Sequence, residues 1–262
     1  TNSPNNVRLD GNGDLVIQAQ STPTGYTSAR LVTRGKADVQ YGTLMARIKF
    51  PSGQGIWPAF WMLGSNIDSV GWPAAGEIDM MELPDVGTTY NTALHGPWAD
   101  GQPGSWTAST SGPAGTDLST GFHNYWVTRE PGLIMIGVDG YLRGVYTRSS
   151  LPAGAQWVFD APSYVVLNVA VGGNWPGPPN NSTPFPATML VDWVSYTATP
   201  VAGTTTAVKT ASTLSAAAPA QRGGLTGATA IAAAAASPTV AGAPVAAAGA
   251  RHPNPLSTTL SS

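Results

Sequence analysis

Between residues 7 and 197 the chain is interrupted every few residues by Gly, Pro, Asn or Asp, and the runs between are short and rich in β-branched and aromatic side chains. Runs of that length and type suit pleated strands. No 3.6-residue apolar period with capping residues competes with them over the first 200 residues. Strands are predicted over 14–20, 29–33, 42–50, 57–63, 77–83, 91–95, 122–129, 133–138, 141–147, 164–171 and 188–196. Asp139-Gly140, between two such runs, predicts a two-residue hairpin turn with left-handed φ at both positions. So many short strands in one domain imply an all-β fold, an antiparallel β-sandwich of the jelly-roll kind.

Charge narrows the partners. Only 10% of residues are charged, and 12 Lys+Arg face 14 Asp+Glu. That balance lacks the basic face that nucleic acid requires. With 9 Trp and 8 Tyr, the domain is suited to an uncharged ligand met by aromatic surface. The absence of Cys excludes disulfide scaffolds, zinc fingers and thiol nucleophiles. Residues 201–262 hold no aromatic and no acidic residue, and their only Lys or Arg residues are Lys209, Arg222 and Arg251. Such a stretch buries too little apolar area to offset its ordering entropy, so a disordered tail or linker is expected there, after a domain over 1–200. The uncharged run 231–250 is Ala-rich and broken by Pro238 and Pro244, which argues against a membrane span. The chain starts with Thr1 and shows no leader pattern, as expected for a processed chain or a fragment.

Glu occurs three times, and two of the three fall in Gly76-Glu77-Ile78-Asp79-Met80-Met81-Glu82-Leu83. On a regular strand Glu77 and Asp79 share a face, while Glu82 is out of phase by one residue. A bulge at Met80-Met81 would bring all three acids to one face. With ~3.3 Å per residue and side chains leaning inward, the two Glu carboxyl groups would end ~5 Å apart. That is the spacing of a retaining glycosidase pair. A solvated acidic strand face and a set of Ca²⁺ ligands are the other readings. The apolar interleaving lacks the tight Asp/Asn/Gly spacing of a calcium loop.

Glu77-Ile78-Asp79-Met80-Met81-Glu82 resembles the E-x-D-x-x-E signature of glycoside hydrolase family 16, in the bulged form of its laminarinases. Further blocks lie in the same order: Tyr41-Gly42 with Ala46-Arg47-Ile48-Lys49, the run Gly55-Ile56-Trp57-Pro58-Ala59-Phe60-Trp61-Met62-Leu63-Gly64, and His95-Gly96-Pro97. Phe122-His123-Asn124-Tyr125, Val138-Asp139-Gly140, Leu167-Asn168-Val169-Ala170-Val171-Gly172-Gly173 and Val191-Asp192-Trp193-Val194 continue it. The resemblance spans roughly residues 1–197 and implies a jelly roll with a concave substrate cleft. Members usually begin with one more strand, so a sandwich short of its N-terminal strand is expected.

The resemblance implies Glu77 as nucleophile, Glu82 as acid/base and Asp79 as their assistant. It also implies substrate contacts from Arg30, Arg47, Trp57, Trp61, His95, Asn168 and Trp175, and a structural calcium at Asp192. Without it, Trp57 and Trp61 could be ordinary core residues, the two arginines surface residues and His95 a structural histidine. Trp57 and Trp61 are four apart on one strand, so they share a face. Three functions follow as expectations: an endo-β-1,3-glucanase; the same scaffold acting on mixed-linkage glucan or galactan, or as a transglycosylase; and a non-catalytic glucan-binding jelly roll. The expected partner is a β-glucan, with no cofactor needed for catalysis, no nucleic acid and no membrane. A monomer working outside the cell is expected.

Overall fold

Alternation of apolar and polar residues sets strand after strand edge to edge in antiparallel register. The computed structural model describes residues 1–199 and the pair Thr229–Ala230. The early strands are β1 (Val7–Leu9), β2 (Leu15–Thr22), β3 (Gly25–Thr27), β4 (Arg30–Val32), β5 (Asp38–Val39), β6 (Gly42–Lys49) and β7 (Ile56–Gly64). A single helical turn, α1 (Ile67–Val70), leads to β8 (Glu77–Glu82), β9 (Thr89–Gly96), β10 (Trp106–Pro113) and β11 (His123–Glu130). The last are β12 (Leu133–Val138), β13 (Tyr141–Thr147), β14 (Ser163–Val171) and β15 (Ala187–Ala198).

These strands make two sheets. One runs β1-β2-β15-β6-β11-β12-β13, with β3 paired to β2; the other runs β10-β9-β8-β7-β14-β4, with β5 paired to β14. Late strands β14 and β15 sit among early ones, the crossover pattern of a jelly roll. The all-β sandwich read from the sequence is the observed fold.

The core lies between the sheets. On β6 the alternation is regular: Leu44, Ala46 and Ile48 point inward, and Thr43, Met45, Arg47 and Lys49 point out. Facing them across the gap are Phe60 and Met62 of β7, Ile78, Met80 and Met81 of β8, and Leu94 of β9, all fully buried. Each such side chain contributes about 1.5–3 kcal/mol by leaving water.

The structure departs from the sequence reading at three places. The run that forms β10, Trp-Thr-Ala-Ser-Thr-Ser-Gly-Pro, was not among the predicted strands because it lacks apolar alternation. It is nevertheless an eight-residue edge strand, buried through Trp106 and showing Thr107, Ser109 and Ser111 outward. The β12–β13 hairpin has the predicted two-residue turn, but only Asp139 takes a left-handed φ, 52°, and Gly140 does not. The Asp139 carboxylate accepts from His123 Nδ1 at 2.8 Å and from the Asn124 N–H at 2.9 Å, and these bonds hold a non-glycine residue in that region. Thr229–Ala230 pairs with Ser195 and Tyr196 of β15, inside the stretch expected to be unstructured. The rest of that expectation lies outside the described residues.

Candidate active site

Register places the acids. Against β7, Glu77 pairs with Leu63, Ile78 with Met62 and Asp79 with Trp61; then Met81 pairs with Phe60 and Glu82 with Ala59. Met80 is therefore the extra residue. Against β9 the interruption falls between Asp79, opposite Ala93, and Glu82, opposite Asn91. Met80 and Met81 both point into the core with no exposed surface, and the three acids share the opposite face. Strand phase would otherwise have sent Glu82 inward, where an unpaired carboxylate costs several kcal/mol.

The neighbouring strands build the floor around them. Ala59 of β7 lies beside Asn168 of β14, which lies beside Arg30 of β4. Trp57 donates its ring N–H to Glu82 Oε1 at 2.9 Å, and Trp61 donates to Asn168 Oδ1 at 2.7 Å. The Arg30 guanidinium lies 5.2 Å from the centre of the Trp61 ring. Trp175, on the loop after β14, meets Trp57 edge to face at 5.4 Å and leaves 47% of its surface open. On the other side His95 Nε2 comes within 3.1 Å of Asp79 Oδ2, and its Nδ1 meets Thr107 Oγ1 at 2.9 Å. The approach to Asp79 is close but poorly aimed, and Asp79 Oδ2 remains without a hydrogen bond among the described residues.

Burial raises all three acids. Asp79 is pushed up to about 8 by desolvation. Glu77 reaches about 8 through desolvation and the Asp79 charge, against the pull of His95, a hydrogen bond from Trp72 and the charge of Arg30. Glu82 is held well above the usual carboxylate range by desolvation, then by Asp79 and Glu77, opposed by His95 and the Trp57 bond. Like charges so close cannot all ionise. Three groups favour the Glu77 anion (His95, Trp72 and Arg30) and two the Glu82 anion (His95 and Trp57), a difference that suits Glu77 to be the carboxylate and Glu82 the acid. One carboxylate and one carboxylic acid on the same cleft face can attack and protonate a glycosidic bond.

Most of the residues singled out from the sequence converge here: Glu77, Asp79, Glu82, Arg30, Trp57, Trp61, His95, Asn168 and Trp175. Arg47 and Asp192 do not. They lie on β6 and β15, in the other sheet, and Arg47 is on its outward face, so Arg47 faces away from the acids. Arg47 Nη1 bonds Asp192 Oδ2 at 2.6 Å and stacks on Phe122 at 4.6 Å. That guanidinium engages one oxygen of the Asp192 carboxylate, the position expected to hold calcium.

Three contributors were not singled out. Trp72, next to Pro73 on the loop before β8, donates its ring N–H to Glu77 Oε2 at 3.1 Å. A Trp-Pro pair just ahead of the acidic strand was the available signal. Asn91 donates from Nδ2 to the Glu82 carbonyl at 3.2 Å, and Thr107 orients His95. Thr107 sits in a Ser/Thr-rich run that marks nothing by itself.

Paired acids among tryptophans on one face of an antiparallel sheet suit the chemistry of a glycoside hydrolase. The family model for glycosyl hydrolases family 16 matches residues 1–195, and the chain belongs to that family. It is 39% identical over 205 residues to a β-glucanase of Rhodothermus marinus, covering 72% of this chain and 69% of that protein. A keratan-sulfate endo-1,4-β-galactosidase of Sphingobacterium multivorum is 34% identical over 201 residues, 74% of this chain and 46% of the relative. The solved endo-β-1,3-glucanase of Pyrococcus furiosus superposes with a TM-score of 0.65 at 42% identity, covering 75% of this chain and 80% of that one.

Proposed function

We propose that the chain cleaves internal β-1,3 linkages of glucans with retention of configuration. Glu77 is the nucleophile, Glu82 the acid/base, and Asp79 the neighbour that helps keep Glu82 protonated. The observation that carries this reading is the bulge at Met80, which turns two glutamates five positions apart onto one cleft face. In the first step Glu82 gives its proton to the leaving oxygen while Glu77 Oε attacks the anomeric carbon. In the second, Glu82 takes a proton from water, which displaces Glu77 and restores the starting anomer. Trp57 fixes the Glu82 carboxyl by its N–H bond and Trp72 does the same for Glu77. Trp57, Trp61 and Trp175 offer aromatic surface to pyranose rings. No cofactor takes part. A polymeric glucan is met outside the cell, and the chain works there as a monomer.

Azide rescue on an aryl β-glucoside substrate tests the roles. Glu77→Ala should lose hydrolysis and, with azide, yield the glycosyl azide of inverted configuration. Glu82→Ala should lose about 10²–10⁴-fold and yield the retained azide. Retained azide from Glu77→Ala would overturn the nucleophile assignment. Similarity to the Sphingobacterium galactosidase makes substrate identity a separate question. Laminarin, lichenan and agarose, assayed side by side, should give products from laminarin first.

A further inference from the structure

The edge strands of the two sheets, β10 and β13, meet at one flank of the sandwich, where Thr110 Oγ1 accepts from the Tyr146 hydroxyl at 3.3 Å. Beside that seam lies a cavity of about 390 Å³. Its walls come from Pro113 and the loop after it, from Asp139 in the hairpin turn, and from Tyr141 and Arg143 of β13. None of the acids or tryptophans of the cleft contributes to it. We propose that this cavity is a second glycan-binding site, taking a stretch of neutral β-glucan outside the cleft; this rests on the glucanase reading above.

Three features carry the assignment. Tyr141 is 67% exposed at the mouth, although an aromatic ring gains about 1.5–3 kcal/mol from burial. An open ring of this kind can cover the apolar face of a pyranose. The Arg143 guanidinium is held 4.8 Å from the centre of the Tyr90 ring and 5.3 Å from that of Tyr141, and Nη2 donates to the Ala114 carbonyl at 2.7 Å. Its Nε is shielded from solvent and has no hydrogen-bond partner among the described residues. Asp139, fixed by His123 and Asn124, supplies an acceptor on the same wall, and its side chain stays 39% exposed. One cation and one anion facing a single pocket cancel, so a phosphate or sulfate gains nothing net there. Hydroxyl groups, which donate and accept together, suit both. Aromatic surface beside paired donor and acceptor is what a neutral sugar requires.

A second site on the same rigid sandwich makes cleft binding partly intramolecular once the polymer is held, which raises apparent affinity for long chains and leaves short ones unaffected. Particulate β-1,3-glucan and a β-1,3-linked pentasaccharide therefore serve as probes for the full-length chain. Tyr141→Ala should cleave the pentasaccharide at the parent rate within about twofold. It should need about 10-fold more particulate glucan for half-maximal adsorption. Tyr141→Trp should adsorb as well as the parent or better. Parent-like adsorption by Tyr141→Ala overturns the site, as does a parent that cleaves the pentasaccharide without adsorbing to the particles. A parent that adsorbs through Tyr141 but cleaves neither probe sinks the glucanase reading and leaves the site standing. If Tyr141→Ala fails to fold, Tyr141→Ser decides the matter by the same adsorption curves.

Discussion

Trp72 and Trp57 serve different acids. Each gives one ring N–H to one carboxylate, Trp72 to Glu77 and Trp57 to Glu82, and each bond favours the anion. Removing the Trp72 bond leaves Glu77 less able to ionise, so its pKa rises further above the usual range. A nucleophile must be ionised to attack. Trp72→Phe should therefore move the acidic limb of the kcat/KM profile to higher pH with the basic limb unchanged; an unmoved acidic limb would show that the bond does not tune Glu77. At this scale the sequence was legible where a residue type is rare or its neighbours mark it. Glu77, Asp79 and Glu82 stand out because Glu occurs three times, and Trp57 and Trp61 because strand phase pairs them. Arg47 misled because a chemically suitable residue lay in a block resembling the family. Its side chain belongs to the outward face of the other sheet, a fact that depends on which sheets face each other and not on the local run.

Among the elements, β8 depends most on a single residue. Met80 is absorbed between Asp79 and Glu82 while β7 and β9 keep regular alternation. Deleting Met81 gives Glu-Ile-Asp-Met-Glu, a straight strand that still presents both glutamates on one face. That deletion should retain measurable glucanase activity. Deleting Met80 and Met81 together sends the second glutamate into the core and should lower kcat by several orders of magnitude, because both chemical steps use it. Activity of the double deletion equal to that of the single one would refute the role of strand phase. The bulge was legible from the sequence because three acids out of phase would otherwise place one in the core. Strand β10 was not, since an edge strand with one face on a hydroxyl-lined cleft needs no apolar alternation. The Asp139 turn was half legible: its length follows from the flanking runs, while its backbone class is set by His123, a residue sixteen positions away.

For the whole molecule, the cleft is a cost to stability. Asp79 and Glu77 are pushed up to about 8 in the folded chain, from ordinary values near 4. Between those values the folded state holds protons that the unfolded state has released, so stability falls as pH rises from about 4 to about 8. Below about 4 both states are protonated and the penalty vanishes. Asp79→Asn removes one of these groups at nearly constant shape. It should melt a few degrees above the parent at pH 8 and level with it at pH 4, by scanning calorimetry, while losing activity. Equal differences at the two pH values would mean that the gain is not one of ionisation.

The strand order of the concave sheet has one more result. On one side of the acids the floor ends in the hydroxyls of Thr107, Ser109 and Ser111; on the other it carries Trp57, Trp61 and Arg30. A polysaccharide is directional, with a reducing and a non-reducing end, and a trough with matching banks would accept it either way round. These banks do not match. The two threadings therefore differ in energy, and the fragment that keeps the new reducing end leaves from the same flank at every turnover.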